Sequence, residues 1–286
     1  MSNNSMTDRF YFSNDTLSII NKYIGSTFVI KYGGSAMQDF SLQSQVIKDL
    51  SLLYYLGINV VLVHGGGMFI NQWLRKLNIK PSFENGIRIT DSQTMDIVEM
   101  VLVGKVNKQL VSLFNQNSIN SVGLSGQDAS LVTASPMFDS SINLTGRVDS
   151  VNPKLLDLLL SNRFVPVIAS VASDYHGNRY NINADTIASS IAVAIKAEKL
   201  VLLTDIPGVL LDLNDYSTLI KELNLESIKS LRSKNVISGG MVPKIQCCVD
   251  ALNGNVKSAH IIDGRIRHSL LHELLTYDRV GSMIVL

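Results

Sequence analysis

The sequence predicts an α/β protein built around a mainly parallel sheet. Three observations predict it: a β-α-β-α opening, two apolar runs that end in bare glycine backbone, and a last third that returns to alternating strands and helices. The two runs are Phe28-Val-Ile-Lys-Tyr-Gly-Gly-Ser35 and Val60-Val-Leu-Val-His-Gly-Gly-Gly67. Strand–helix–strand units of this kind imply parallel neighbours joined by right-handed crossovers. At 286 residues the chain can bury one large α/β domain or two lobes. Because no repeat, low-complexity segment or linker divides it, we read two lobes of one continuous sheet meeting near residues 170–178.

Each element follows from local pattern. Leu17, Ile20, Tyr23 and Ile24 recur at helical spacing, predicting a short amphipathic helix within an N-terminal extension over 1–24. Residues 27–32 read as a strand, and 42–56 as a helix that Gly57 stops. A strand over 59–63 runs into the triple glycine, and 68–77 form the next helix. Asp91 reads as the N-cap of a long helix reaching about residue 117. Short strands or hairpins are expected at 121–124, 131–134 and 145–148, and Pro153 opens a helix to 160. The apolar run 164–170 is a buried strand, followed by turn-rich 173–178. Then come a helix over 184–197, a strand over 199–203, a loop at 204–208, helices over 222–231 and 242–252, a strand over 258–262, a helix over 269–275 and a final strand over 282–286. The resulting division is an N-lobe over 25–175 and a C-lobe over 176–286.

Composition narrows the function classes. The apolar fraction of 46%, charged fraction of 17% and net charge of +1 are those of an ordinary soluble protein. Nothing in this balance points to nucleic acid or an acidic membrane surface. No apolar run approaches the ~18–20 residues of a membrane span, and residues 1–15 lack the order of a signal or transit peptide. Adjacent Cys247 and Cys248 suit neither a structural disulfide nor zinc, so a reducing compartment is expected. The wealth of Asn, Ser, Ile and Lys fits an AT-rich genome, hence a bacterial cytoplasm or a plastid stroma.

Glycines at the carboxyl ends of parallel strands sit where α/β proteins bind ligands, beside helix N-termini rich in unpaired N–H groups. Gly33-Gly34 and Gly65-Gly66-Gly67 fit this, and Gly239-Gly240 form a third glycine turn. Neither Gly-x-x-x-x-Gly-Lys-[Ser/Thr] nor Gly-x-Gly-x-x-Gly is present, which excludes a Walker A loop and argues against a dinucleotide site. Bound anions need cations. Lys31, at the end of a buried strand, is one candidate, its other reading being a lysine snorkelling to water. Lys244 stands in the first turn of a helix, where a cation is locally unfavourable unless an anion is near. In Asn181-Ile-Asn-Ala-Asp185, Asp185 is either functional or a helix-capping acid. Arg88, within Gly86-Ile-Arg-Ile-Thr90, is suited to a carboxylate, or is an ordinary strand arginine. His64 belongs to no legible Ser/His/Asp or Cys/His set and reads as a packed or hydrogen-bonded residue. The five histidines lack metal spacing, so no metal ligand is assigned.

In this order, Lys31-Tyr-Gly-Gly34, His64-Gly-Gly-Gly67, Gly86-Ile-Arg-Ile-Thr90, Tyr180-Asn-Ile-Asn-Ala-Asp185, Leu203-Thr-Asp-Ile-Pro-Gly208 and Gly239-Gly-Met-Val-Pro-Lys244 resemble the amino-acid kinase family, and within it the acetylglutamate kinases. The resemblance runs from Thr27 to Leu286; its departure is tyrosine at 32, where a smaller or aliphatic residue is frequent. It implies an open αβα sandwich whose N-lobe binds N-acetyl-L-glutamate and whose C-lobe binds ATP with Mg2+ carried by the nucleotide. By the same resemblance Lys31 and Lys244 sit on the transferring phosphoryl group and Asp185 positions them. Gly66, Gly67, Arg88 and Asn181 hold the acetylglutamate. Gly33, Gly34, Thr204, Asp205, Gly208 and Gly240 serve the phosphates or the nucleotide. Also implied is feedback by L-arginine, with Lys196, His268, Glu273 and Gly281 as the candidate effector residues. Assembly as a homodimer, or as a hexamer through the N-terminal helix, and a PII-type signalling partner belong to the same implication. Two alternatives stay open: a related kinase with another acceptor, and a non-catalytic arginine or nucleotide sensor.

Overall fold

The computed structural model describes residues 13–286 other than Gln38, Asn85 and Ser141; residues 1–12 of the expected N-terminal extension lie outside the described residues. In chain order the elements are α1 (Asn14–Tyr23), β1 (Thr27–Tyr32), α2 (Phe40–Tyr55), β2 (Asn59–His64), α3 (Gly67–Lys76), β3 (Ser82–Glu84), β4 (Ile87–Ile89), α4 (Ser92–Glu99), a π-helical segment (Met100–Val106), α5 (Asn107–Gln116), β5 (Ser121–Ser125), β6 (Val132–Pro136) and β7 (Thr145–Val151). They continue with α6 (Lys154–Ser161), β8 (Val165–Ala169), β9 (Val171–Ser173), β10 (Arg179–Ile182), α7 (Ala184–Ala194), β11 (Lys199–Thr204), β12 (Glu222–Leu223), α8 (Leu225–Ser233), α9 (Met241–Asn253), β13 (Ser258–Asp263), α10 (Ser269–Leu275) and β14 (Ser282–Ile284).

Among the described residues one eight-stranded sheet runs in the order β12-β14-β13-β11-β1-β2-β8-β5. All neighbours are parallel except the β13–β14 pair. The sheet has β11 and β1 at its middle, and helices cover both faces. Strand alternation assigns side chains to two cores. Phe28, Ile30 and Tyr32 of β1 join the core that contains α2, α5 and α10. Val29 joins the opposite core, under α7 and α9. By the same alternation Lys31 belongs to the α7/α9 face, at the carboxyl end of its strand. Beside this sheet, β6, β7, β9 and β10 close on one another as a small barrel, and β3 with β4 forms a hairpin.

Several expected elements shift for local reasons. α2 starts at Phe40 because the Asp39 carboxylate accepts from the N–H groups of Ser41 and Leu42, at 2.7 and 3.1 Å. Asp91 does cap the long helix, accepting from Thr94 N at 2.8 Å. That helix, however, relaxes into π geometry at Met100–Val106, around Gly104. The run expected at 164–170 divides at Ser170, where β9 leaves the main sheet to pair with β10. The helix expected at 222–231 begins at 225, because Asn224 and Ser227 cap each other reciprocally; residues 222–223 instead add an edge strand. In α1 the buried residues are Thr16, Ile19 and Ile20, whereas Leu17 and Ile24, expected on the apolar face, are exposed. Tyr23 turns its edge to Phe28 at 5.4 Å and anchors that helix to β1.

Candidate active site

Parallel packing brings the carboxyl ends of β1, β2, β8 and β11 to one edge, so the glycines after β1 and β2 and Thr204 at the end of β11 emerge side by side. Above this edge lies a cavity of about 480 Å³, whose wall includes Lys31, Gly33, Gly34, Gly66, Gly67, Arg88, Asn181, Asp185 and Lys244. The structure therefore joins residues from both ends of the chain. Thr204, Asp205, Gly208 and Gly240 are not on this wall. Thr204 ends β11, next to Asp263 in register. Asp205 is exposed, with its backbone N 3.6 Å from where a Cβ on Gly34 would stand. Gly208 is buried against Ser282 with φ +146°, a conformation that favours glycine. Gly240 is the exposed N-cap of α9.

Asp185 organises the cavity's charge. It stands in the first turn of α7, whose N-cap Asn183 accepts its backbone N–H at 2.7 Å. Its Oδ1 lies 2.8 Å from Lys31 Nζ and its Oδ2 2.9 Å from Lys244 Nζ. Burial by itself would raise its pKa, but the two ammonium groups outweigh burial and hold it at about 2. Two lysines against one carboxylate leave an excess positive charge at the cavity floor. Asp185 is also the resident anion that offsets the unfavourable place of Lys244 at a helix N-terminus. A Cβ at Gly33 would come within 2.6 Å of Lys31 Nζ, so a side chain there would shift that ammonium group.

Arg88 supplies another part of the wall. Arg88 is buried, and its guanidinium stacks over the Phe83 ring at 4.7 Å. Nη2 donates to Asn71 Oδ1 at 2.6 Å and to the Gly67 carbonyl at 3.3 Å, while Nη1 is buried without a hydrogen-bond partner. Burial lowers the Arg88 pKa, yet a guanidinium starts too high to lose its proton at neutral pH. Asn181 donates to Thr90 Oγ1 at 3.1 Å, and Thr145 donates to the Arg88 carbonyl at 2.6 Å, which fixes this strand against the small barrel. Leu102, on the π segment, packs so closely on Gly66 that a Cβ at Gly66 would meet it at 2.6 Å. Neither Asn71 nor Leu102 carried a sequence signal: both stand on helices whose pattern reads as ordinary packing.

His64 is a structural residue. Its Nδ1–H donates to the Gly65 carbonyl at 2.9 Å and its Nε2 accepts from Asn107 at 3.1 Å, so the ring is neutral. Burial depresses its pKa to about 4, against a small upward pull from the Gly65 bond. The depressed folded-state value makes this a contribution that is complete above pH 6.5 and is lost as pH falls through about 4. Over ~2.5 pH units the loss is about 3 kcal/mol. Urea unfolding between pH 7 and pH 4 should show it, and His64→Gln should flatten that part of the profile. An unchanged slope in the variant would overturn the assignment.

The expected effector residues separate. Glu273 lines a second cavity of about 310 Å³ beside α1, together with Tyr23, Lys199, Ser258, His260 and Arg279. Its carboxylate accepts from His260 Nδ1 at 2.8 Å and from the backbone N–H groups of Val280 and Gly281, at 3.0 and 2.9 Å. Lys196 is exposed after α7, and His268 faces α2, with Nδ1 2.8 Å from Asp49 Oδ1. Neither lines this cavity. Lys199, with Nζ 4.7 Å from the Tyr23 ring centroid, and His260 occupy the wall instead.

The model of the "Amino acid kinase family" matches residues 26–263. The chain belongs to the amino acid kinase family. Among its curated relatives, an acetylglutamate kinase of Gracilaria tenuistipitata var. liui is 55% identical over 280 residues, with 98% of both chains covered. Another, of Thermosynechococcus vestitus, is 50% identical over 281 residues, covering 98% of this chain and 95% of that one. Among solved structures, an N-acetylglutamate synthase from Neisseria gonorrhoeae complexed with coenzyme A and N-acetyl-glutamate matches with a TM-score of 0.84 at 25% identity. That match takes 95% of this chain and 62% of the other. A Giardia carbamate kinase, at 15% identity and a TM-score of 0.66 over 91% of this chain and 99% of its own, shares the fold. The αβα arrangement and the mainly parallel sheet described above are therefore those of an amino acid kinase.

Proposed function

We propose that this chain transfers the γ-phosphoryl group of ATP to the γ-carboxylate of N-acetyl-L-glutamate, forming N-acetyl-L-glutamyl 5-phosphate in the acetylated route to ornithine and arginine. The observation that carries this reading is one cavity with a Lys31–Asp185–Lys244 bridge and an arginine that has an unpartnered Nη1. The acetylglutamate kinases at 50–55% identity over nearly the whole chain support the choice of acceptor.

The chemistry asks for no general base. A γ-carboxylate, with an ordinary pKa near ~4.3, is already ionised at neutral pH. The carboxylate at the cavity floor, Asp185, has both oxygens against lysines and a pKa of about 2, so it has no role as a proton acceptor. What the reaction needs is tolerance of one anion approaching a polyanion, through positioning and preorganised charge. Lys31 and Lys244 supply that charge to the phosphoryl oxygens, and Asp185 holds them apart and aimed. The glycines after β1 and β2 offer N–H groups; α3 starts at Gly67 with no side-chain cap, which leaves its first turn open. Arg88 and Asn181 take the acetylglutamate, while Thr204, Asp205, Gly208 and Gly240 serve the nucleotide on the C-lobe side. The lysine-rich donor set suits an anion, so Mg2+ would ride on the nucleotide phosphates and lower their charge.

A regulated form of this reading rests on the cavity beside α1. Tyr23, Lys199 and Arg279 line it, an aromatic face and two cations that suit the carboxylate end of an amino acid such as L-arginine, while the Glu273 carboxylate is buried against His260 and the N–H groups of Val280 and Gly281. A hexamer joined through the N-terminal helix and a PII-type partner belong with this regulated form, in a bacterial cytoplasm or plastid stroma. No described helix is long and apolar enough to cross a membrane. One experiment tests both parts: ADP release from ATP with acetylglutamate, against glutamate, aspartate, carbamate, uridylate and acetylaminoadipate, with and without arginine. Preference for acetylglutamate is expected, with inhibition by millimolar arginine. Turnover of another acceptor in its place overturns the function, and indifference to arginine overturns the regulation.

A further inference from the structure

We propose that Asn71 is a positioning residue that sets the substrate affinity of the cavity by holding Arg88 in a fixed orientation. The inference deepens the functional reading above and rests on it. Arg88 sits on a three-residue strand of the β3–β4 hairpin, outside the main sheet, and its strand alone does little to orient its side chain. Its guanidinium is instead fastened from α3. Asn71 Oδ1 accepts from Nη2 at 2.6 Å, the shorter of the two hydrogen bonds given to that nitrogen; the Gly67 carbonyl, at 3.3 Å, is the longer. Phe83 stacks against the guanidinium plane and limits tilting, but not rotation within that plane.

A planar fork has little freedom once one of its nitrogens is tied down. With Nη2 committed to α3, Nη1 remains buried and without a hydrogen-bond partner beside the cavity. An unmade hydrogen bond on a buried charged group is unfavourable, and an arriving carboxylate oxygen removes that penalty. Asn71 therefore acts on affinity through Arg88, not on the phosphoryl group, and its amide oxygen is the atom that matters. Without that acceptor, Nη1 and Nη2 can exchange partners by rotation, and part of the population presents no ordered donor to the substrate.

Steady-state kinetics on the full chain tests this. Asn71→Leu, which keeps the branching at Cγ and removes the acceptor, should raise the acetylglutamate KM by about tenfold, the range of one lost charge-assisted hydrogen bond. Its kcat and its KM for ATP should stay within about twofold of wild type, which a merely structural lesion would not respect. Asn71→Asp, which keeps the acceptor oxygen, should raise the acetylglutamate KM by less than about threefold. In an Arg88→Ala background, itself expected to raise that KM strongly, Asn71→Leu should add less than about twofold. An unchanged KM in Asn71→Leu, an equal loss in Asn71→Asp, or a full tenfold effect without Arg88 would each overturn the inference. A wild-type chain inactive on acetylglutamate would instead overturn the functional reading, so the two failures are distinguishable.

Discussion

Alanine at Lys31 or Lys244 is expected to lower kcat by about 10²–10³-fold while changing the acetylglutamate KM by less than about threefold. Both ammonium groups stand at the cavity floor, whereas the acetylglutamate is assigned to Arg88 and Asn181. Their charge acts where the phosphoryl oxygens gather charge in the transition state, so its loss is felt in turnover more than in acceptor binding. Lys31 should be the more sensitive of the two. Its side chain is 10% exposed against 18% for Lys244, so water replaces it less readily. It also leaves a β-strand in the middle of the main sheet, a rigid base. Steady-state kinetics decides the point: a near-normal kcat in both variants would remove the lysines from the mechanism.

Asp185→Asn is expected to lower both stability and turnover. The carboxylate has a folded-state pKa of about 2, below its ordinary value of 3.8. A depressed value means stability that is fully present above pH 3.8 and lost as pH falls through about 2. The difference of ~1.8 pH units corresponds to about 2 kcal/mol at pH 7. Asparagine keeps the shape and forfeits that charge, leaving Lys31 and Lys244 to repel each other across a neutral group. The variant should unfold at lower urea at pH 7, with a gap to wild type that narrows between pH 4 and pH 2. Its kcat should fall by about 10²-fold, because two lysines no longer held to one anchor misplace the charge they carry. A stability gap that does not change with pH would show that Asp185 is not the ionised bridge described here.

Much of the frame was legible in local pattern. Apolar runs ending in glycine located β1 and β2, and Gly57 marked the end of the α2 helix. Asp91 announced its helix with a side-chain cap. The misreadings came where tertiary context overrides pattern. The long helix after Asp91 widens into a π segment where Leu102 packs onto Gly66 and, just beyond it, Asn107 reaches His64 and the carbonyls of Leu124 and Val167. Leu17 and Ile24 fit the apolar period of α1 yet are exposed, because Thr16, Ile19 and Ile20 are the residues that face the core. Of the four residues expected to bind an effector, Glu273 lines the cavity beside α1 and Gly281 donates its N–H to Glu273. Lys199 and His260 read as interior strand positions, with no local sign that they border a cavity.

By itself the sequence determined the α/β order, the glycine-ended strands and the motif series that places the chain among amino acid kinases. These depend on short-range rules: the two-residue period of a strand, the stop signals of a helix, and the need for bare backbone where main chain must meet a ligand. The motif series implied that Lys31, Asp185 and Lys244 share a site, but only the tertiary structure brings these charged side chains into one cavity. Lys31, Asp185 and Lys244 stand far apart in the chain. They meet because the period of β1 turns Lys31 toward the face covered by α7 and α9, and because both helices begin at the same edge of the sheet. Asn71 and Arg88 likewise become partners only when α3 and the β3–β4 hairpin pack side by side. Crossovers and packing set such pairings, and no local pattern encodes them.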